Sequence, residues 1–498
     1  YYNAWDFDKK IVDEYIEATN NLPIDYIEIG YRNNPQQEYL GKYGYCPVYE
    51  LAAIRKKSNK KLAVMLNEKD VAPSDMAVLL EPIKGLVDLV RVAVDPQNID
   101  RALILGREIK SFGFLVGFNS MYMSKWNEYE GFYDKLNIVN NAADIIYMVD
   151  SFGGVSPETV KEIISRVKKN TTCAIGFHCH NNLELGLINT LTAIDHGVDY
   201  VDATILGMGR GAGNLKTELL LTYLNRYYNL DVDFSILGDV ITAFSELLRK
   251  YNWGSHLPYM LSGAYSIPQK DVMALVDTRR YSFNNIIRAL DNKKRNIDDN
   301  AQYPVLEPVN CERVIIIGGG INAALHADAI KEMVKQFSSI VLIHATARNA
   351  AYYKEIKTSQ YICLVGNEGK RIKAVFPDKD FKGKCILPPY PRKMGTEVLP
   401  AFLHRETYEL RKIEFTEEYH DSCTAVALQA AACFCGGDIF LVGYDGYKGN
   451  VLSEKEAALL QENRLLFSSF RRFYKRSLLS LTPSLYKELD IKSVYKYI

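Results

Sequence analysis

Apolar and polar positions in the first half of the chain alternate between two patterns. Short aliphatic and β-branched runs recur as IDYIEIG from Ile24, KLAVML from Lys61, LVDLVRVAV from Leu86, FGFLVGFN from Phe112, DIIYMVD from Asp144, TCAIGFH from Thr172 and DYVDATILG from Asp199. Between them lie stretches with helical spacing, such as SPETVKEIISRVKKN, which opens on the N-cap candidate Ser156. The runs start 25 to 37 residues apart, so the unit is a repeated strand and helix. Near-continuous apolar strands predict a parallel sheet covered on both faces, and repeats this regular predict a closed (β/α)8 TIM barrel. Seven runs are present where eight strands are needed. Because Tyr1, Tyr2 and Asn3 lead directly into a helix from about Asp8, the first strand is expected upstream of Tyr1.

From about Asp271 to Asn310 the chain becomes charged and asparagine-rich, which predicts a barrel over 1–280 and a linker over 281–310. RVIIIGGGINAALHADAIKEMVKQ from Arg313 then reads as strand, glycine turn and helix. Further strands are predicted at SIVLIHAT from Ser339, YICLVG from Tyr361 and DIFLVGYDG from Asp438, with an amphipathic helix from Glu454 to about Lys475. A second, Rossmann-like α/β domain is therefore expected over 311–498.

Composition narrows the function more than the fold. At 498 residues the chain exceeds what one core supports. Sixty basic and sixty acidic residues leave a formal net charge of zero, which removes the electrostatic case for nucleic acid or an anionic membrane and favours a small-molecule substrate. Nine scattered cysteines, none in a C-x-x-C pair, point to reduced thiols and a cytoplasmic protein. No apolar run approaches the roughly 18–20 residues that span a bilayer.

In a TIM barrel the chemistry gathers where the strands end. Those ends offer Glu28, Asn67, Arg91, Asn119 with Ser120, Asp150 with Ser151, and His178-Cys179-His180-Asn181-Asn182. Residues two apart on a strand point the same way, so His178 and His180 can reach one ion; two hydrogen-bonded core histidines are the alternative. Gly207 to Asn214 packs four glycines into eight residues after the last run, either a ligand loop that includes Gly209, Arg210, Gly211 and Asn214 or a tight connection. Glu218 fits a helix start. Asp150 can serve catalysis or cap a helix, and Arg91 can hold a substrate carboxylate or an internal salt bridge.

MVDSFGG from Met148, HCHNNLELG from His178 and GMGRGAGNLKTE from Gly207, in this order, resemble the metal-dependent aldolase family that includes 4-hydroxy-2-oxovalerate aldolase, hydroxymethylglutaryl-CoA lyase and the isopropylmalate and homocitrate synthases. The resemblance covers about Tyr1 to Tyr228. It implies a divalent cation, manganese or magnesium with zinc as a further option, held by His178 and His180, with Asn214 as a fourth ligand or just behind the ligands. It further implies that the ion chelates a 2-oxo carboxylate and stabilises the enolate formed as the C3–C4 bond breaks. Arg91 and Asp150 would be catalytic, and Asn119, Ser120, Gly209, Arg210 and Gly211 would line the substrate. The family's first-strand arginine and metal-binding aspartate are expected upstream of Tyr1. Tyr1 resembles the position of a histidine base, where a phenol of pKa about 10 is a poor substitute.

The turn at Gly318-Gly319-Gly320 can cradle a phosphate, although Ala323 breaks the full glycine pattern, or can serve only the turn itself. LVGYDG from Leu441 and SLTPSLY from Ser480 faintly resemble nucleotide-sugar-dependent glycosyltransferases of the sialyltransferase-like type, so a nucleotide or nucleotide-sugar is the partner expected there. Three functions follow in rank: a 2-oxo acid aldolase, an acyl-CoA-dependent Claisen synthase, and a non-catalytic barrel serving the second domain. A homo-oligomer is expected.

Overall fold

The computed structural model describes residues 3–378, 381–397, 399, 401–447 and 452–498. It divides into two compact units, Tyr1–Met273 and Ala274–Ile498. The first unit holds seven strands: β1 (Tyr26–Tyr31), β2 (Lys61–Asn67), β3 (Leu89–Val94), β4 (Leu115–Ser120), β5 (Ile145–Asp150), β6 (Ala174–Cys179) and β7 (Tyr200–Val201). Each overlaps one of the seven apolar runs, to within one residue at its C-terminal end. All neighbours pair in parallel and in chain order, the order of a TIM barrel. The sheet curls until Tyr26 on β1 and Tyr200 on β7 meet edge to face, 6.0 Å between centroids. The eighth strand of the expected barrel is not among the described residues.

Alternation along the strands separates two environments. Val64, Leu66, Val90, Val92, Val116, Phe118, Ile146, Met148 and Phe177 are buried in the main core between sheet and helices. The intervening Ala63, Leu89, Ile145, Tyr147 and Val149 pack with Tyr26 and Tyr200 inside the curl. Helix Pro157–Asn170 shows why the connections are helical: Ser156 accepts from the Thr159 N–H, proline opens the first turn, and Val160, Ile163, Ile164 and Val167 form the buried stripe.

The second unit is also a parallel sheet: β8 (Arg313–Ile317), β9 (Ile340–His344), β10 (Ser359–Cys363), β11 (Lys384–Leu387), β12 (Thr407–Glu409), β13 (Ile439–Val442), β14 (Leu478–Ser480) and β15 (Asp490–Ile491). Its order is β12-β11-β10-β9-β8-β13-β14-β15. The chain starts in the middle, winds outward to one side and then to the other, as a Rossmann-like sheet does, with β8 and β13 flanking the point of reversal. Both faces are covered, since Val314 and Ile316 join one core cluster while Ile315 and Ile317 join another.

The stretch read as a linker is built into this second unit. Phe283–Lys294 is a helix capped by Ser282. Its Arg288 donates to the carbonyls of Met394 and Gly366, and Asp299 is buried against Arg392. Charge and asparagine content masked an amphipathic helix there. All nine cysteines are free thiols, and among the described residues no helix is long and apolar enough to cross a membrane.

Candidate metal and substrate site

β6 ends on His178 and Cys179, and His180 follows. Alternation sends Cys179 into the outer core, 1 % exposed, and leaves the two imidazoles together, 5.3 Å between centroids at 79°. His178 Nδ1 lies 3.0 Å from Asp202 Oδ2, and His180 Nδ1 lies 2.9 Å from the Ser151 carbonyl oxygen. Asp202 is an acceptor, so His178 Nδ1 carries the proton and its Nε2 keeps the lone pair; at His180 the Ser151 carbonyl favours the same tautomer, against the Gln269 amide N–H that also reaches Nδ1. That tautomer is the one a metal-ligating histidine needs. Burial and the neighbouring His178 hold His180 down at about 3, so it stays neutral near pH 7.

A carboxylate and an arginine hold this pair. Burial would raise the Asp202 carboxyl, but Arg91 and the His178 N–H outweigh it and bring it to about 2. Arg91, its side chain 8 % exposed, donates from Nε to Asn119 Oδ1, from Nη1 to Glu28 Oε2 and from Nη2 to Asp202 Oδ2. It also stacks on the Tyr147 ring, 4.0 Å from the centroid. All three nitrogens are engaged inside the barrel, which is the salt-bridge arrangement. Asn119 is accordingly occupied by Arg91.

Asn214 comes next to the imidazoles: it bridges to His180, and the Asn181 N–H donates to the Gly213 carbonyl at 2.9 Å. Its Nδ2 donates to the Met208 carbonyl, while its Oδ1 is buried without a partner. This orphaned amide oxygen belongs to the residue bridged to His180, and together with two imidazoles it is the type of donor set that fits a divalent cation. Among the described residues no three His, Cys, Asp or Glu side chains cluster as a metal site, so the fit rests on the two imidazoles and this amide.

The glycines of the loop make room for those groups. A Cβ on Gly209 would stand 2.8 Å from Asn214 Oδ1, and one on Gly211, at φ +58, would strike Gln269 Oε1 at 2.1 Å. Gln269 is 7 % exposed; its Oε1 accepts from the Ala212 N–H, and its Nε2 lies 3.0 Å from His180 Nδ1. Arg210 projects from the same loop and is exposed.

Two expected site residues are not brought to the imidazoles. Asp150 is fully buried, and its oxygens accept from the N–H groups of Gly153, Gly154 and Val155, so it shapes the loop after β5. Burial nevertheless lifts its pKa to about 6. Ser120 shares the outer face of Val116 and Phe118 and is fully buried. Tyr1 lies outside the described residues. Asp202 and Gln269 were missed by sequence reasoning. Asp202 sits two residues after Tyr200, on the same strand face, which is a readable signal; no motif marks Gln269.

At the second sheet's point of reversal the glycine turn is already filled. The Gly318 and Gly320 N–H groups donate to the carbonyls of Val442 and Gly443, and Asp445 Oδ2 accepts from the Asn322 N–H at 3.1 Å. A Cβ on Gly320 would meet Asp445 Oδ2 at 2.5 Å. The chain's own carboxylate therefore stands where a phosphate would be cradled, which removes the glycine turn as support for a nucleotide.

The fold and site are those of a curled parallel barrel sheet with an imidazole pair at its strand ends, and comparison with known proteins narrows the class. The HMGL-like family model matches residues 98–247. A 4-hydroxy-2-oxovalerate aldolase of Geobacillus thermodenitrificans is 30 % identical over 256 residues, 47 % of this chain and 71 % of the relative. One of Bacillus thuringiensis is 37 % identical over 186 residues, 34 % of this chain and 52 % of the relative. The solved N-terminal domain of a candidate aldolase from Bacteroides vulgatus is 60 % identical, with a TM-score of 0.56, and covers 58 % of this chain and 96 % of that domain. The chain belongs to the HMGL-like family of metal-dependent aldolases. Across these two curated relatives it spans between about half and seven-tenths of their length.

Proposed function

We propose that the barrel is a divalent-metal-dependent carbon–carbon lyase that cleaves or forms 4-hydroxy-2-oxo acids. The observation that carries this reading is the placement of His178 Nδ1 against Asp202 and of His180 Nδ1 against the Ser151 carbonyl, which favours protons on Nδ1 and leaves the Nε2 lone pairs for an ion. Asn214 adds a neutral oxygen donor through Oδ1. Manganese or magnesium, bound there, would supply Lewis-acid stabilisation of the negative charge that develops on the 2-oxo group. Asp202 orients His178, and Arg91 fixes Asp202. Gln269 pins the glycine loop against His180, and the same loop carries Asn214 and Arg210. A 2-oxo acid is the substrate class that such a site chelates.

The test incubates full-length protein with Mn2+ or Mg2+ and a panel of 4-hydroxy-2-oxo acids, coupling released pyruvate to NADH oxidation. Metal-dependent release that His178→Ala and His180→Ala both abolish is expected. Bound metal without release, together with thiol release from acetyl-CoA and a 2-oxo acid, would replace this reading with a Claisen synthase. Failure to bind metal would sink both.

A further inference from the structure

Resting on the aldolase reading, charge at the barrel mouth specifies the substrate further. The two imidazoles and Asn214 bring no net charge. Glu28 and Asp202 share the single charge of Arg91, at 3.0 and 2.5 Å, which leaves one formal negative charge beside the pair. A divalent cation would answer that charge together with the carboxylate of a 2-oxo acid. Arg210 is then left over: it is exposed, and among the described residues its side chain has no ion pair or hydrogen bond.

Its position is not that of a stray surface cation. The Arg210 carbonyl accepts from the Gly213 N–H at 3.0 Å, and the Gly213 carbonyl accepts from Asn181, the residue after His180. The turn carrying Arg210 is therefore tied to the strand end that carries the imidazoles. Arg210 lies within electrostatic reach of Tyr31 at the end of β1 and of Tyr122 beyond β4. A guanidinium held there without a carboxylate is a fork waiting for an anion.

We infer that the substrate carries a second anionic group at the end remote from its 2-oxo acid, and that Arg210 in the glycine loop is the residue that selects it. Substrates with a terminal carboxylate or phosphate would be favoured over neutral-ended ones of equal length.

The experiment measures dissociation constants of 2-oxoglutarate and 2-oxovalerate, five-carbon 2-oxo acids that differ in the far end, on the Mn2+-loaded full-length protein by water-proton relaxation. A phosphonate-ended 2-oxo acid separates phosphate from carboxylate preference. In the wild type the charged end should improve binding by about tenfold or more. The ratio should fall to near one in Arg210→Ala and recover in part in Arg210→Lys, with Mn2+ stoichiometry checking that both variants fold. An unchanged ratio in Arg210→Ala overturns the inference. So does equal weakening of both ligands, which would place Arg210 on the shared 2-oxo carboxylate. Pyruvate release from neutral-ended 4-hydroxy-2-oxovalerate is read separately: its absence with the ratio intact sinks the lyase and keeps the anion site, whereas absence of Mn2+ binding sinks both.

Discussion

Arg91 in the barrel and Arg392 in the second unit are each buried between two carboxylates, with opposite consequences. Arg392, its side chain 5 % exposed, pairs with Asp299 at 2.9 Å and Glu409 at 3.0 Å, and those carboxylates are 0 % and 4 % exposed. Its remaining donors go to the carbonyls of Pro388 and Ala301, so the cluster is closed on itself. Arg91 is 8 % exposed, but its partners Glu28 and Asp202 are 33 % and 19 % exposed, and Asp202 passes its orientation on to His178. The same ionic arrangement therefore locks a chain segment in one place and orients an imidazole in the other. The difference lies in whether the carboxylates still face water.

The largest effect expected from this contrast is on stability. Arg392→Met leaves Asp299 and Glu409 buried without a counter-charge and should cost about 3–5 kcal/mol, seen as a lowered denaturant midpoint. Arg91→Met should cost less, about 1–3 kcal/mol, because Glu28 and Asp202 can be hydrated in its absence. Equal losses would show that the barrel arginine is as closed as its counterpart.

Each unit also holds a buried neutral histidine, and His344 gives the contrast a pH signature. Burial pushes His344 down to about 4, partly offset by its contact with Gln360. The unfolded chain takes up that proton below about pH 6.5 while the folded one does not, so stability is complete above that pH and drains away as pH falls toward 4. The loss should be on the order of 2 kcal/mol by pH 5. Urea midpoints of wild type and His344→Gln between pH 7 and pH 5 measure it, and parallel curves would remove His344 as the cause.

Asp202→Asn addresses the open cluster directly. An amide at that position keeps the shape but removes the charge that favours the Nδ1–H tautomer of His178. Metal affinity should fall by about 10–100-fold, the usual consequence of losing a carboxylate behind a ligating histidine. Titration with Mn2+ monitored by electron paramagnetic resonance reads it, and unchanged affinity would mean that Asp202 serves only Arg91.

Much of this was legible before any coordinates, for physical reasons that also explain the failures. Strands buried on both faces leave unbroken apolar runs, so β1 to β6 were found. The HCH alternation placed both imidazoles because a strand fixes the direction of every second side chain. β11, β12, β14 and β15 have two to four residues each, too short for any period to show. The helix Phe283–Lys294 was hidden because its outer lysines and its asparagines, of which Asn285 and Asn292 are buried, outweighed the Ile286 and Leu290 stripe. Arg91 could not be assigned from sequence, since whether an arginine meets substrate or an internal acid depends on Glu28 and Asp202, 63 and 111 residues away in the chain.

Gln269 is the hardest case, because it lies outside every barrel strand and still touches the site. Its amide joins the Ala212 N–H of the glycine loop to the edge of His180, so it sets the distance between the loop and the imidazole without holding either proton. Gln269→Ala should therefore weaken Mn2+ binding less than the roughly tenfold lower limit typical of a direct partner. It should also loosen the loop that carries Arg210 and Asn214, which hydrogen exchange at Ala212 would report as faster opening. Slower turnover with unchanged exchange at Ala212 would place Gln269 in direct contact with substrate, and the contrast between a closed and an open cluster would then extend to a third side chain.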